Sequence, residues 1–303
     1  MEAPMRILVT GAEGFAGAYV ARALSAHGHT VIGLARRQQE KNADVSVWRA
    51  VDLTDFHALH AVIGEARPDA VVHLAAVSFV AHGDVGEIYA SNVLGTRNLL
   101  EALAAHELSC KAVIVSSANI YGNRTSGPLH ERLQPDPRSD YALSKLACEH
   151  LAFMYADRVN SLVVRPFNYT GVGQSDQFIV PKIIAHTLGR APTIELGNIH
   201  VARDFSDVRF FAEAIARLIE IEIEHVSGRI VNICSGRAVT LSGLLDLVAS
   251  LSGHRLEVQT NSDLVRSQEV ARLWGDDTML QRLIGPLSGP SLDETIAWML
   301  RET

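Results

Sequence analysis

Tyr141 and Lys145 stand four positions apart in the stretch Tyr-Ala-Leu-Ser-Lys. On a helix that spacing puts both side chains on one face, a turn apart. A free tyrosine gives up its proton only near pH 10. An ammonium beside it stabilises the phenolate, so the pair is expected to lower the Tyr141 pKa and exchange protons near neutral pH. Just upstream, Ser116-Ser117 close a short apolar, β-branched run. A hydroxyl at Ser117 can hold the oxygen that gains or loses the proton. The chemistry is proton transfer at a hydroxyl or carbonyl oxygen. A surface helix with a tyrosine packed on a lysine stem would show the same spacing, so the rest of the chain must decide.

A second constellation lies near the start. The run Arg6-Ile-Leu-Val-Thr10 leads into Gly11-Ala-Glu-Gly14-Phe15-Ala-Gly17 and then a helical pattern. In a G-x-x-G-x-x-G turn, Gly11 allows a tight bend and Gly14 lets a pyrophosphate approach the backbone. Gly17 lets helix and strand pack closely. The helix start offers unpaired N–H groups and a positive dipole end to the phosphates. The position, directly after the first strand, separates this turn from a merely structural one. About 20 positions further on, an NAD site carries an acid for the ribose 2′-hydroxyl. Here Arg36 and Arg37 stand instead. A guanidinium fork suits a 2′-phosphate and stacks on adenine. NADP(H) is therefore expected, with NAD(H) as the alternative and two solvated arginines as the bland reading. Asp52 and Leu53 can reach the adenine edge. Leu74, Ala75 and Ala76 bring small side chains near the dinucleotide, and Lys145 can bond its nicotinamide ribose.

These residues need a scaffold. Apolar runs at 6–10, 30–35, 45–51, 70–74, 111–116 and 161–165 alternate with helical patterns such as 16–27, 56–65 and 87–106. That alternation predicts a doubly wound parallel Rossmann sheet of the α/β class, covered on both faces. After residue 165 the pattern loosens. Helices are expected at 177–188, 207–222, 241–251 and 290–300, and a strand at 229–233 that returns to the sheet. The expected organisation is a cofactor-binding domain over 1–165, joined by 207–235. A smaller carboxyl-terminal α/β substrate lobe over 166–303 interleaves with it.

Composition narrows the function classes. The 303 residues are 48% hydrophobic and 20% charged, enough to build a core and too apolar for disorder. The net charge of −7 argues against nucleic-acid binding, which needs a basic face. Cys110, Cys148 and Cys234 are far apart, and no histidine cluster has ligand spacing. No metal is expected, and a reducing compartment is. The apolar run at 7–9 is too short for a signal segment or a membrane span, and Gly11 breaks it. A soluble cytoplasmic protein without membrane contact is the expectation. Trp48, Trp274 and Trp298 are dispersed and expected to pack.

In order along the chain, several motifs resemble the extended short-chain dehydrogenase/reductases that modify nucleotide sugars. They are the glycine turn, Asp52-Leu53, Ser117, Ala118-Asn-Ile-Tyr-Gly122, Tyr141 with Lys145, and Arg165-Pro-Phe-Asn168. The resemblance covers nearly the whole chain, and the ordered set is specific where each piece is not. It implies Tyr141 as general acid/base, Lys145 as its partner and Ser117 as the substrate-orienting hydroxyl. Asn92 resembles the family's structural asparagine, against a mid-helix side chain facing solvent. The family's dimers pair the helices at 88–103 and 142–155, which implies a homodimer. Burial within one chain would also account for their wide apolar faces.

Residues 165–174 and 201–208 look like the branch acting on GDP-mannose and GDP-6-deoxy-4-ketohexoses. Dehydration needs a base for the C5 proton, and the similar dehydratases carry a glutamate where this chain has Asn119. The similar epimerase-reductases carry a cysteine there and a histidine three residues before a proline. Here those positions are Asn119 and Phe178. Neither exchanges protons. The resemblance thus implies reduction of the C4 ketone of GDP-4-keto-6-deoxy-D-mannose to GDP-D-rhamnose. Asn119 would then lie at the substrate, Asn168 at the sugar-phosphate side, and Lys182 and Arg203 on the pyrophosphate. Arg266 and Glu269 would meet the second phosphate and the guanosine ribose. The bland alternative for each is a solvated surface group. A 4-epimerase, a 4,6-dehydratase and a non-enzymatic NADP-binding sensor or scaffold stay open. So do GDP-6-deoxy-D-talose as product and a heptose as substrate. Arg36 and Arg37 speak against a 4-epimerase that retains NAD. Tyr141 and Lys145 together speak against a silent sensor.

Overall fold

The structure is a computed structural model that describes residues 4–40, 42–78, 84–107, 110–123, 127–261 and 271–303. The strands are β1 (Arg6–Thr10), β2 (Thr30–Ala35), β3 (Val47–Ala50), β4 (Ala70–His73), β5 (Lys111–Val115), β6 (Asn160–Pro166) and β7 (Asn168–Thr170), followed by β8 (Thr193–Leu196), β9 (Ala202–Asp207), β10 (Ile230–Ile233), β11 (Ala238–Thr240), β12 (Glu257–Thr260) and β13 (Arg272–Leu273). Seven of them form one parallel sheet in the order β10-β6-β5-β4-β1-β2-β3. The chain winds outward from β1 in one direction and then from β4 in the other. Ligands in such sheets bind at this reversal, beyond the carboxyl ends of the strands.

Alternation along each strand divides the core. Ile7 and Val9 face one layer, with Val20 and Leu24 of α1 (Phe15–Ala26). Leu8 faces the other, with Leu59 and Ile63 of α2 (Phe56–Ala66). The short α3 (Val85–Ile88) and α4 (Gly95–Ala105) flank a π-helical turn, Tyr89–Leu94. Leu99 and Leu103 of α4 join the second layer, as do Cys148 and Ala152 of α5 (Asp140–Met154). The stretch expected as one helix over 87–106 is therefore three segments. The wider turn interrupts the regular helix, and Asn92 within it is buried.

Beyond β6, α6 (Ile179–Leu188) packs with β8 and β9 around Ile183, Ile184, Leu196 and Phe205. Here β9 pairs with β7, β11 and β13, and β8 pairs with β12. The next helix, α7 (Val208–Glu220), returns to the first layer through Phe211 and Ile215. It ends two residues before the expected 222, because Ile221 turns extended at φ −63° and ψ 141°. After α8 (Ile223–Val226) the chain enters β10 beside β6. Helices α9 (Leu241–Ser252), α10 (Thr278–Ile284) and α11 (Leu292–Glu302) complete the fold. All three cysteines are buried free thiols. Among the described residues no helix is long and apolar enough to cross a membrane, and no cluster of metal-ligating side chains occurs.

Candidate active site

The carboxyl end of β5 brings the three proton-transfer candidates together. Ser117 follows the strand in extended conformation and starts a single 3-10 turn over residues 118–121. Tyr141 lies in the first turn of α5, whose N-cap Ser139 accepts from the Ala142 N–H. The Ser117 hydroxyl lies close enough to the Tyr141 hydroxyl to favour its phenolate. One helical turn on, Lys145 donates from Nζ to the Val115 carbonyl at 2.8 Å. All three side chains are buried.

Burial sets their acidities. The Tyr141 hydroxyl is pushed up to about 12 by desolvation, with Ser117 pulling the other way. This corrects the expectation of a lowered value. The Lys145 ammonium is bonded to Val115, and the cost of burying a phenolate outweighs what its neighbours return. Burial also lowers the Lys145 pKa, against the pull of Cys148 and Glu149.

Behind the trio lies a buried ion pair between Arg165, which opens one of the motifs, and Glu149, which no motif named. Arg165 on β6 meets Glu149 on α5 through two bonds, Nε to Oε1 at 2.9 Å and Nη2 to Oε2 at 2.7 Å. Both side chains are 2% exposed. Ser116 donates to Glu149 Oε1 at 2.5 Å. Arg165 also donates to the Tyr121 hydroxyl at 3.0 Å, and that hydroxyl donates to Asn232 Oδ1 on β10 at 2.7 Å. The pair ties α5 to β6 and to the end of β5 beside Ser117. The sequence signal for Glu149 is that it lies four residues beyond Lys145, on the same helix face.

A second polar chain crosses from β1. Thr10 Oγ1 bonds His73 Nδ1 at 2.8 Å, and His73 Nε2 bonds Thr96 Oγ1 at 2.9 Å. Desolvation, with Lys145 nearby, pushes the His73 pKa down to about 3, so the ring is neutral. Asn92 accepts from the Val77 N–H at 2.8 Å and donates to Ser144 Oγ at 2.9 Å. Ser144 donates to the Tyr141 carbonyl at 2.8 Å. Asn92 is thus structural, not solvent-facing.

At the opposite side of the reversal, the glycine loop is tightly packed. Gly11 has φ +69°, and a Cβ there would sit 2.9 Å from Ala75 Cα. A Cβ on Gly17 would sit 2.0 Å from the Gly11 oxygen. Gly14 caps α1 with no side-chain bond, so the first-turn N–H groups of Phe15 and its neighbours receive no side-chain acceptor from the cap. Such a helix start fits a pyrophosphate. The Phe15 ring stacks on Tyr169 at 6.2 Å. Gly11 N–H donates to the Leu34 carbonyl, which places the end of β2, and with it Arg36 and Arg37, beside the loop. Arg36 is exposed; its guanidinium meets Glu87 at 3.4 Å, a pair of small energetic weight, and its backbone N–H meets Glu13 Oε1 at 3.4 Å. Asp52 accepts from Thr54 N–H and Oγ1, which holds its carboxyl below the usual range. Leu53 lies against Gly95. Leu74 packs on the first core layer, Ala75 donates from its N–H to Thr10 Oγ1, and Ala76 is half-buried. The chain's own residues therefore fit a dinucleotide.

The substrate candidates are more scattered. Asn119 is exposed on the 3-10 turn, and its side chain donates to Ser117 Oγ at 3.2 Å. Asn168 donates from Nδ2 to the Asp204 carbonyl at 3.0 Å. Lys182 donates to the Glu195 carbonyl at 2.8 Å and Arg203 to the Ala202 carbonyl at 2.9 Å. Phe178 caps α6 at its start. Arg266 and Glu269 lie outside the described residues.

Comparison with known proteins places this geometry. Residues 7–234 match the model of the NAD dependent epimerase/dehydratase family. The chain is 34% identical over 283 residues to a GDP-6-deoxy-D-talose 4-dehydrogenase of Aggregatibacter actinomycetemcomitans, covering 93% of this chain and 92% of that one. It is 34% identical over 292 residues to a GDP-6-deoxy-D-mannose reductase of Pseudomonas aeruginosa, covering 92% and 91%. The solved structure of RMD from Pseudomonas aeruginosa complexed with NADPH superposes with a TM-score of 0.85. Its sequence identity is 31%, with 98% of each chain covered.

Proposed function

The chain belongs to the NAD dependent epimerase/dehydratase family, and from that premise we propose that it reduces the C4 ketone of GDP-4-keto-6-deoxy-D-mannose to GDP-D-rhamnose. It is an NAD(P)-dependent enzyme of the nucleotide-sugar 4-keto reductase, epimerase and dehydratase group. The finer reading rests on one observation. The side chain bonded to Ser117, next to the buried Tyr141 hydroxyl, is the amide of Asn119. An amide cannot remove a carbon-bound proton, so the site has what reduction needs and lacks a base there for dehydration or epimerisation at C5.

The glycine loop with Phe15 and the α1 start would hold the pyrophosphate. Arg36 and Arg37 would meet a 2′-phosphate, Asp52 and Leu53 the adenine side, and Leu74, Ala75 and Ala76 the floor of the dinucleotide site. NADPH, when bound, supplies the hydride. Tyr141 donates its proton to the developing C4 oxygen, and Ser117 donates a hydrogen bond to the same atom. The raised Tyr141 pKa keeps the phenol protonated until that oxygen needs it. Lys145 holds the ribose and lends its charge to the phenolate left behind. Asn168, Lys182 and Arg203 are proposed on the sugar-phosphate side, with Arg266 and Glu269 completing the GDP site.

Two finer readings have their own support. The talose 4-dehydrogenase relative supports GDP-6-deoxy-D-talose as the product of hydride delivery to the other face. Val85, Leu94, Leu143, Phe153 and Met154 are exposed on the packed segments around α3, the π-helical turn and α5, which supports a homodimer through that surface. The deciding experiment mixes the protein with GDP-4-keto-6-deoxy-D-mannose and NADPH and follows loss of the reduced nicotinamide. Oxidation with C3 and C5 unchanged in the product NMR spectrum is expected, and the C4 configuration names the sugar. A protein that binds NADPH and oxidises none of it with this ketone would overturn the reading.

A further inference from the structure

We propose that Asn119 is a positioning residue: it fills both acceptor sites of the Ser117 hydroxyl and so compels that hydroxyl to donate. A serine hydroxyl has one proton to give and two lone pairs to fill. The backbone N–H of Asn119 and its side-chain Nδ2 each donate to Ser117 Oγ at 3.2 Å. With both lone pairs taken, the Ser117 proton is the one hydrogen-bonding capacity left, and the group beside it is the Tyr141 hydroxyl, whose pKa Ser117 lowers. The backbone bond belongs to the 3-10 turn, and any residue would make it. The side-chain bond needs a donor at position 119.

The polarity follows from the residue type. A carboxylate at 119 has acceptors only, so it would take the Ser117 proton and reverse the bond. An amide holds the hydroxyl as a donor before substrate arrives. Charge that develops on a substrate oxygen during reduction is stabilised by donors already aimed at it. Asn119 thus does more than lack a base's chemistry: it sets the direction of the Ser117 bond. The inference rests on the reductase reading of this site and deepens it.

The test uses Asn119→Ala and Asn119→Asp, which are tolerable because the side chain is exposed. With the 4-keto sugar and NADPH, N119A is expected to lose about tenfold in kcat with little change in KM. N119D is expected to lose about 10²-fold near pH 8. Its kcat relative to the unmodified protein should rise as the pH falls toward the carboxyl range, because a protonated carboxyl can donate again. Equal, pH-independent losses in both variants would overturn the proposal. A second readout needs no substrate. In protein labelled with 13C at tyrosine Cζ, with Y141F giving the assignment, N119D should shift the Tyr141 resonance. That shift should vanish when Ser117→Ala is added. A shift that survives S117A, or no shift at all, would overturn the role of Asn119. Failure of the unmodified protein to reduce the ketone would sink the functional reading instead, and the tyrosine spectrum would still decide the role of Asn119.

Discussion

A buried lysine stands near each end of strand β5, one on the strand and one on α5, and the two are used differently. Lys111, at the amino end, donates to the Ile219 carbonyl at 2.7 Å and to the Ile221 carbonyl. It closes the last turn of α7 by satisfying carbonyls that the helix leaves open. Lys145, packed against the carboxyl end from α5, has the Val115 carbonyl as its one hydrogen-bond acceptor among the described residues. It sits beside a neutral histidine and one turn from a buried phenol. A buried ammonium bound to the carbonyls of a helix end serves the fold. One with donors to spare, at the end of the sheet where ligands bind, is available for chemistry. Residue type and burial do not separate the two lysines; position along the strand does.

The contrast can be broken most directly at Tyr141. Removing its hydroxyl in Tyr141→Phe should cost about 10²–10⁴ in kcat for the ketone reduction, with the thermal midpoint unchanged or higher. A stability loss of similar size would mean that the carboxyl end is also structural. Glu149→Ala asks that question of the layer behind. It leaves Arg165 buried without its partner, for which about 3–5 kcal/mol of urea-measured stability should be lost. A smaller loss would show that water reaches Arg165.

The next effect is a pH dependence at His73. Its folded pKa of about 3 lies below its ordinary value of 6.5. The unfolded chain therefore binds the proton more readily, and the native state loses stability as the pH falls. The loss runs from pH 6.5 toward 3, at a slope approaching about 1.4 kcal/mol per pH unit. Urea midpoints measured across that window should fall, and His73→Asn should remove this part of the slope. Smallest is Lys111→Met, expected to cost about 1–3 kcal/mol of stability by leaving two carbonyls unpaired, with kcat nearly unchanged. A large loss of kcat there would erase the distinction between the two ends.

How much of this was legible varied with the reach of each interaction. Tyr141 and Lys145 were readable because helical periodicity places them, and the glycine loop because its spacing follows a strand. The doubly wound sheet was readable from its apolar runs, including the returning strand at β10. The fine positions were not. Nothing local distinguishes the π-helical turn at Tyr89–Leu94 from regular helix, since the apolar pattern continues through it. β7, β11 and β13 span two or three residues, too few to show alternation. Glu149 finds Arg165 on another element, so no spacing encodes the pair. The Tyr141 pKa was misjudged because sequence shows the neighbour and conceals the desolvation.

The position of β10 has a consequence for synthesis. Residues of β6 pair with β5 on one side and wait for β10 on the other. About 60 residues separate the two strands, which at ribosomal speed is on the order of 3–12 s. During that interval the outer edge of β6 from Val163 to Pro166 has no strand to close it, and Tyr121 lacks Asn232. An open edge of that kind is a template for pairing with another chain. Nascent chains halted between β6 and β10 should therefore be the form of this protein most dependent on chaperones.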